Sequence, residues 1–173
     1  MTPIAWRDAG PADAAALARL NSAAFLEAFA HDHPGPALLA YLEETQTTTA
    51  WAALLGEPGV AVRIGETPLG APVGLVVLRV PARLKGAGPD DAELMRLYLL
   101  AGWQGRGEGG RQVEAALARA TAAGAHRMLL AVYPQNHGAR RLYERHGFAE
   151  IGETCFQLGD IAMPDLIYAR ALR

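Results

Sequence analysis

Residues 104–110 read Gln-Gly-Arg-Gly-Glu-Gly-Gly, four glycines and an arginine between an apolar stretch and an alanine-rich one. Glycine weakens helices and strands, so such a cluster implies that something needs the backbone bare or its angles free. A tight strand-to-helix turn is one use. The other is chemical: at the start of a helix the first amides lack intrahelical partners and the dipole is positive, so bare amides converging there suit a phosphate. Further along, Asn136 and Tyr143 stand seven residues apart, nearly on one face of a helix after two turns. Glu93 opens the apolar stretch ahead of the glycines.

Three phosphate-binding patterns compete for the glycines. A nucleoside-triphosphate loop needs Gly-Lys-Ser/Thr, and Gly109-Gly110-Arg111 stands there instead. Gly105, Gly107 and Gly110 satisfy the dinucleotide pattern G-x-G-x-x-G, but Ala101-Gly102-Trp103-Gln104 separate them from their strand. That pattern also needs an acidic residue at the end of the next strand, which here ends Ala131-Val132-Tyr133-Pro134.

The third pattern fits. Gln104-Gly105-Arg106-Gly107-Glu108-Gly109 resembles the Gln/Arg-x-x-Gly-x-Gly/Ala signature of the GCN5-related N-acetyltransferases (GNAT). Asn136, Ala139 and Tyr143, followed by Gly147-Phe148, resemble that family's N-x-x-A-x-x-x-Y-x-x-x-G-F segment, in the expected order. The resemblance is strongest over 92–170 and includes the closing CFQLGDIAMPDLIYARAL. Glu108 departs from it, because the family places a small aliphatic residue there. A carboxylate beside a diphosphate costs Coulomb energy, partly offset by the helix dipole.

The resemblance implies acetyl-CoA as co-substrate, with no metal, and acetyl transfer to an amine. That reaction must deprotonate an alkylammonium of pKa about 10, stabilise an oxyanion and release a thiolate whose thiol has a pKa of about 8.5. By resemblance Glu93 is the general base, through water, and Tyr143 the proton donor to the sulfur. The loop Gln104, Gly105, Arg106, Gly107, Gly109 and Gly110 would hold the diphosphate. Asn136 and the backbones of Leu97 and Leu99 would hold the pantetheine arm, the Leu97 amide also polarising the thioester carbonyl. Arg141, with Arg140 beside it, would reach the 3′-phosphate.

Family analogy puts the acceptor pocket at AAFLEAFAHDHPG, with Phe25, Phe29 and His31 as contacts. The AF-x-x-x-F-x-H-D run and E-L-x-R-L-Y-L are similar to bacterial spermine/spermidine acetyltransferase-like proteins, which implies a small polyamine-like amine as partner. His31, Asp32 and His33 form a polar loop without the third spacing that a metal site needs. The competing readings are acetylation of a protein or peptide N-terminus, a non-catalytic acyl-CoA-binding module, and a donor acyl group longer than acetyl. A homodimer is an assembly common among such proteins.

The elements that must position these residues follow from periodicity. Ile4 and Trp6 mark a first strand, Gly10-Pro11 starts a helix running to about Phe29, and shorter helices follow around 37–44 and 49–55. Strands are expected at 60–64, 73–80, 93–100 and 128–133, then at FAEIGE and PDLIYARAL. Helices are expected at 111–124 and 136–147, each stopped by glycine. The expected fold is a mixed α/β (α+β) domain over 1–173, a mostly antiparallel sheet of about seven strands flanked by about four helices. A net charge of -2 argues against nucleic acid as partner. One cysteine, Cys155, precludes an internal disulfide, and no apolar run is long enough for a membrane span, so a cytoplasmic enzyme without a signal peptide is expected.

Overall fold

The sheet order is β1-β2-β3-β4-β5-β7-β6. In this computed structural model, which describes residues 3–172, the strands are β1 (Ala5–Asp8), β2 (Val60–Glu66), β3 (Pro72–Arg79), β4 (Asp91–Leu99), β5 (Arg127–Val132), β6 (Ala149–Leu158) and β7 (Ile161–Ala171). The helices are α1 (Ala14–Phe29), α2 (Gly35–Thr45), α3 (Thr48–Leu55), α4 (Glu108–Ala122) and α5 (His137–Arg145). Neighbours β1–β2, β5–β7 and β6–β7 are antiparallel, and β4 pairs with β5 in parallel from Asp91↔Arg127 to Glu93↔Leu129. A parallel pair needs a crossover, which α4 supplies. The mixed, mostly antiparallel seven-stranded sheet is the one expected. The fifth helix is the eight-residue α3.

The chain divides into two compact units, Met1–Val77 with Arg96–Arg106 and Leu78–Met95 with Gly107–Arg173. In the first, Arg7 donates to both Asp13 (2.7 and 2.8 Å) and Glu66 (2.9 Å), tying β1 to the turn before α1 and to β2. The Arg7 guanidinium holds the Asp13 carboxyl down at about 2. Thr47 caps α3 by accepting from Ala50 N–H. Buried Trp51 donates its indole N–H to Gln46 Oε1 at 3.0 Å, and Asn21 of α1 donates to the same oxygen at 2.8 Å.

In the second unit, Met128, Leu129 and Leu130 of β5 and Ile167, Tyr168 and Ala169 of β7 are buried, with Leu129 facing Ala169 in register. Asp91 accepts from Arg127 (2.7 Å) and from Gly88 N–H (2.7 Å), which keeps its carboxyl below the ordinary range. Two features differ from the sequence expectation. The closing strands are longer than FAEIGE and PDLIYARAL, forming one hairpin that pairs Leu158 with Ile161 across Gly159-Asp160. Gly159 there has φ 60°, the angle a two-residue turn takes at its first central position. Helix α4 starts at Glu108 instead of 111, so Gly109 and Gly110 lie inside it.

Candidate active site

The glycines of the loop divide into two kinds. Gly105 (φ 73°) and Gly107 (φ 78°) are in the left-handed region, and Gly107 is the N-cap of α4. The first helical donor is Arg111 N–H, to Gly107 O at 3.1 Å, so the amides of Glu108, Gly109 and Gly110 precede the hydrogen-bonded ladder. The amides of Gly109 and Gly110 and the positive end of the helix dipole suit an anion, and a diphosphate has that chemistry.

Gly109 and Gly110 lack side chains for another reason. A Cβ on Gly109 would lie 3.3 Å from Leu142 Cδ2, and one on Gly110 would lie 3.2 and 3.3 Å from Cε1 and Nε2 of His146. What comes close to this backbone is α5. His146 is fixed in turn: its Nδ1 lies 2.8 Å from Leu142 O, and since a carbonyl only accepts, Nδ1 carries the proton. Gly110→Val is therefore expected to lower stability by about 1–3 kcal/mol through overpacking. Adding His146→Ala should restore most of the lost melting temperature, and a double variant as unstable as the single one would refute the contact as the cause.

Glu108, the residue out of pattern, is paired. Its carboxylate accepts from Arg111 Nη2, one turn on, and this bond raises the Arg111 pKa. Sequence reasoning missed the pair, although opposite charges at i, i+3 on a helix were its visible signal.

Tyr143 is buried at 8% exposure, with its ring edge-on to Phe148 at 5.9 Å. Burial pushes its phenol up to about 12. No described residue hydrogen-bonds its hydroxyl. Asn136 is the N-cap of α5, its Oδ1 accepting from Ala139 N–H at 3.1 Å. Arg140 is tied down, donating to the Tyr168 hydroxyl (3.1 Å) and to Pro134 O (3.1 Å), while Tyr168 donates to Glu144 (2.9 Å). Arg141 next to it is exposed. Glu93, half-buried at the last pair of the β4–β5 register, accepts from Arg83 N–H at 2.9 Å.

The remaining expected residues lie in the first unit. Leu97 and Leu99 are half-buried, and Leu99 Cδ2 packs where a side chain on Gly74 would stand. Gln104 donates to Leu99 O at 2.8 Å, closing the end of β4. Arg106 lies over the Trp103 ring at 5.2 Å and donates to Gly102 O at 2.7 Å, which holds its guanidinium beside the loop. Phe25 and Phe29 stack at 4.6 Å, and Tyr41 of α2 extends the cluster at 5.2 Å from Phe25. The histidine packed on Phe29 is His33, at 5.3 Å, with its Nδ1 2.6 Å from Asp32. His31 points elsewhere, with its side chain 66% exposed and Nε2 3.6 Å from Asp32. Among the described residues no three His, Cys, Asp or Glu side chains are grouped to hold a metal, and no helix is long and apolar enough to cross a membrane.

A crossover helix thus begins at the glycine loop, and the helix after the next strand carries a buried tyrosine. Residues 16–148 match the acetyltransferase (GNAT) family, and the chain belongs to it. It is 38% identical over 82 residues to an uncharacterized N-acetyltransferase of Mycobacterium bovis, a stretch covering 47% of this chain and 53% of that protein. The chain thus spans about half the length of the curated relatives it matches. Among solved structures, a PaiA N-acetyltransferase of Thermoplasma acidophilum in complex with coenzyme A superposes with TM-score 0.77 at 16% identity, over 98% of this chain and 99% of that one. A spermidine N-acetyltransferase of Vibrio cholerae gives TM-score 0.67 at 19% identity, over 97% and 93%.

Proposed function

We propose that this chain transfers the acetyl group of acetyl-CoA to a primary amine of a small, polyamine-like molecule, by direct attack in a ternary complex. The observation that carries the reading is Tyr143: a buried phenol held neutral, with no partner for its hydroxyl among the described residues, six residues beyond the start of α5 in a GNAT chain. Bound acetyl-CoA supplies an activated thioester. Amides of Glu108, Gly109 and Gly110 hold its diphosphate, and Asn136, Leu97 and Leu99 steady the pantetheine arm. Glu93 takes the ammonium proton through water, the Leu97 amide donates to the carbonyl oxygen, and Tyr143 hydrogen-bonds the sulfur as it leaves. A C–N bond forms, a C–S bond breaks, and the nitrogen's second proton ends on the sulfur.

Charge supports a cationic acceptor. Between Arg19 and Arg63 the chain has no Lys or Arg, while Glu27, Asp32, Glu43, Glu44 and Glu57 fall in that interval. It includes the aromatic cluster of Phe25, Phe29 and Tyr41, whose faces also attract ammonium groups. The test is a thiol-release assay with acetyl-CoA against polyamines, other amines and peptides. Turnover is expected with polyamines. Turnover only with another amine class, or with peptides alone, would overturn the acceptor assignment.

Glu93→Gln should lower kcat/KM by about 10²-fold near neutral pH, within the range for a general base. The deficit should shrink as pH approaches 10, because the alkylammonium then loses its proton unaided. A deficit constant from pH 7 to 10 would remove Glu93 as the base.

A further inference from the structure

The pair Glu108–Arg111 lies across the loop that the proposed function assigns to the diphosphate, and the inference below rests on that assignment. Glu108 is the first residue of α4, immediately after the N-cap Gly107. Arg111 curls back over that cap: its Nη1 is 3.5 Å and its Cζ 4.0 Å from where a Gly107 Cβ would stand, and its Nη2 donates to Glu108. The Arg111 side chain is 59% exposed and the Glu108 side chain 15%. An exposed cation and a sheltered anion thus meet at the N-terminus of α4.

For a diphosphate these two charges have opposite signs of effect. The carboxylate repels it at short range and the guanidinium attracts it, with bidentate geometry suited to phosphate oxygens. A guanidinium held by Glu108 cannot also give its best fork to the ligand. We propose that Arg111 exchanges partners, from Glu108 in the free protein to the diphosphate in the complex, so that Glu108 sets both the grip on the coenzyme and the speed of its release. Loose grip has a use here, since product release limits many enzymes and the leaving product carries the same diphosphate. Glu108 is thereby a positioning and affinity-setting residue, acting through Arg111.

The model of exchange differs from a static ion pair in sign and in coupling. Glu108→Gln keeps the shape and frees the guanidinium, so coenzyme A should bind about three- to tenfold tighter, and the gain should shrink in high salt. Arg111→Ala keeps the carboxylate and removes the guanidinium, and should weaken binding about tenfold. With exchange, Arg111→Ala costs more in the Glu108→Gln background than in the wild type, because there no bond to a carboxylate at 108 has to break before the guanidinium turns to the ligand. Additive effects would mean that the two side chains act on the ligand independently, which exchange does not allow.

Titration calorimetry of the full chain with coenzyme A, on the wild type, both single variants and the double variant, reads all three quantities. Acetyl-CoA kinetics should show KM falling in Glu108→Gln, with kcat falling too where release is limiting. Arg111→Lys, which keeps the charge without the fork, should recover part of the loss, and thermal melts check that each variant is folded. Coenzyme A binding by the wild type, with no tightening in Glu108→Gln or with additive effects, overturns the exchange alone. A wild type that binds no coenzyme A overturns the coenzyme reading and the exchange with it.

Discussion

Tyr143→Phe is expected to lower kcat by about 10²–10³-fold, the effect of removing one hydrogen bond to a developing anion, while coenzyme A affinity stays at the wild-type value. The magnitude follows from the acidity of the phenol. Burial pushes it up to about 12, whereas the departing thiol has a pKa of about 8.5. Full proton transfer from tyrosine to thiolate would run uphill by roughly 3.5 pKa units, about 5 kcal/mol. In the proposed function the hydroxyl would therefore act by donating a hydrogen bond that strengthens as the sulfur gains charge. The same value fixes two pH dependences. Tyr143 stays protonated throughout the usual assay range, so wild type and Tyr143→Phe should show parallel pH–rate profiles. For stability the folded pKa is raised, so the contribution is complete below pH 10 and is lost as pH rises from 10 to 12, by at most about 3 kcal/mol. Subtracting the Tyr143→Phe unfolding free energy from that of the wild type isolates this component. A Tyr143→Phe enzyme with wild-type kcat would end its role at the sulfur.

Much of this architecture can be read in the sequence because local chemistry and tertiary structure agree. The parallel β4–α4–β5 crossover is marked by apolar strands and an alanine-rich helix, and Asn136, which begins the helix expected at 136–147, caps α5. Where the sequence misleads, a distant contact decides. Gly109 and Gly110 have poor helix propensity, which sets the expected start at 111; contact with Leu142 of α5 and with its C-cap His146 favours glycine within the helix instead. His31 and His33 are the same residue type two positions apart, and only the ring packing of Phe29 on His33 separates them. Arg140 and Arg141 are adjacent, and only the Tyr168 hydroxyl shows which one is committed to the fold. In each case the missing information is a partner far along the chain.

Gly107→Val should produce the largest loss of coenzyme binding, more than tenfold, together with a fall in melting temperature. Position 107 has φ 78°, where a β-branched side chain meets its own backbone, at a cost of roughly 1–3 kcal/mol. The chain can keep the angle and carry the strain, or relax it and turn the Glu108, Gly109 and Gly110 amides. The first lowers the melting temperature, and the second weakens the diphosphate site of the proposed function. The order of substitutions separates this cause from crowding. Asn visits the left-handed region more readily than Ala, so at 107 binding should fall in the order Gly, Asn, Ala, Val. At 110, where φ is not positive and His146 is the obstacle, stability should follow side-chain bulk, with Ala milder than Asn or Val. If Ala outperforms Asn at 107 as it should at 110, backbone angle does not govern the N-cap, and the cradle formed by these amides needs another explanation.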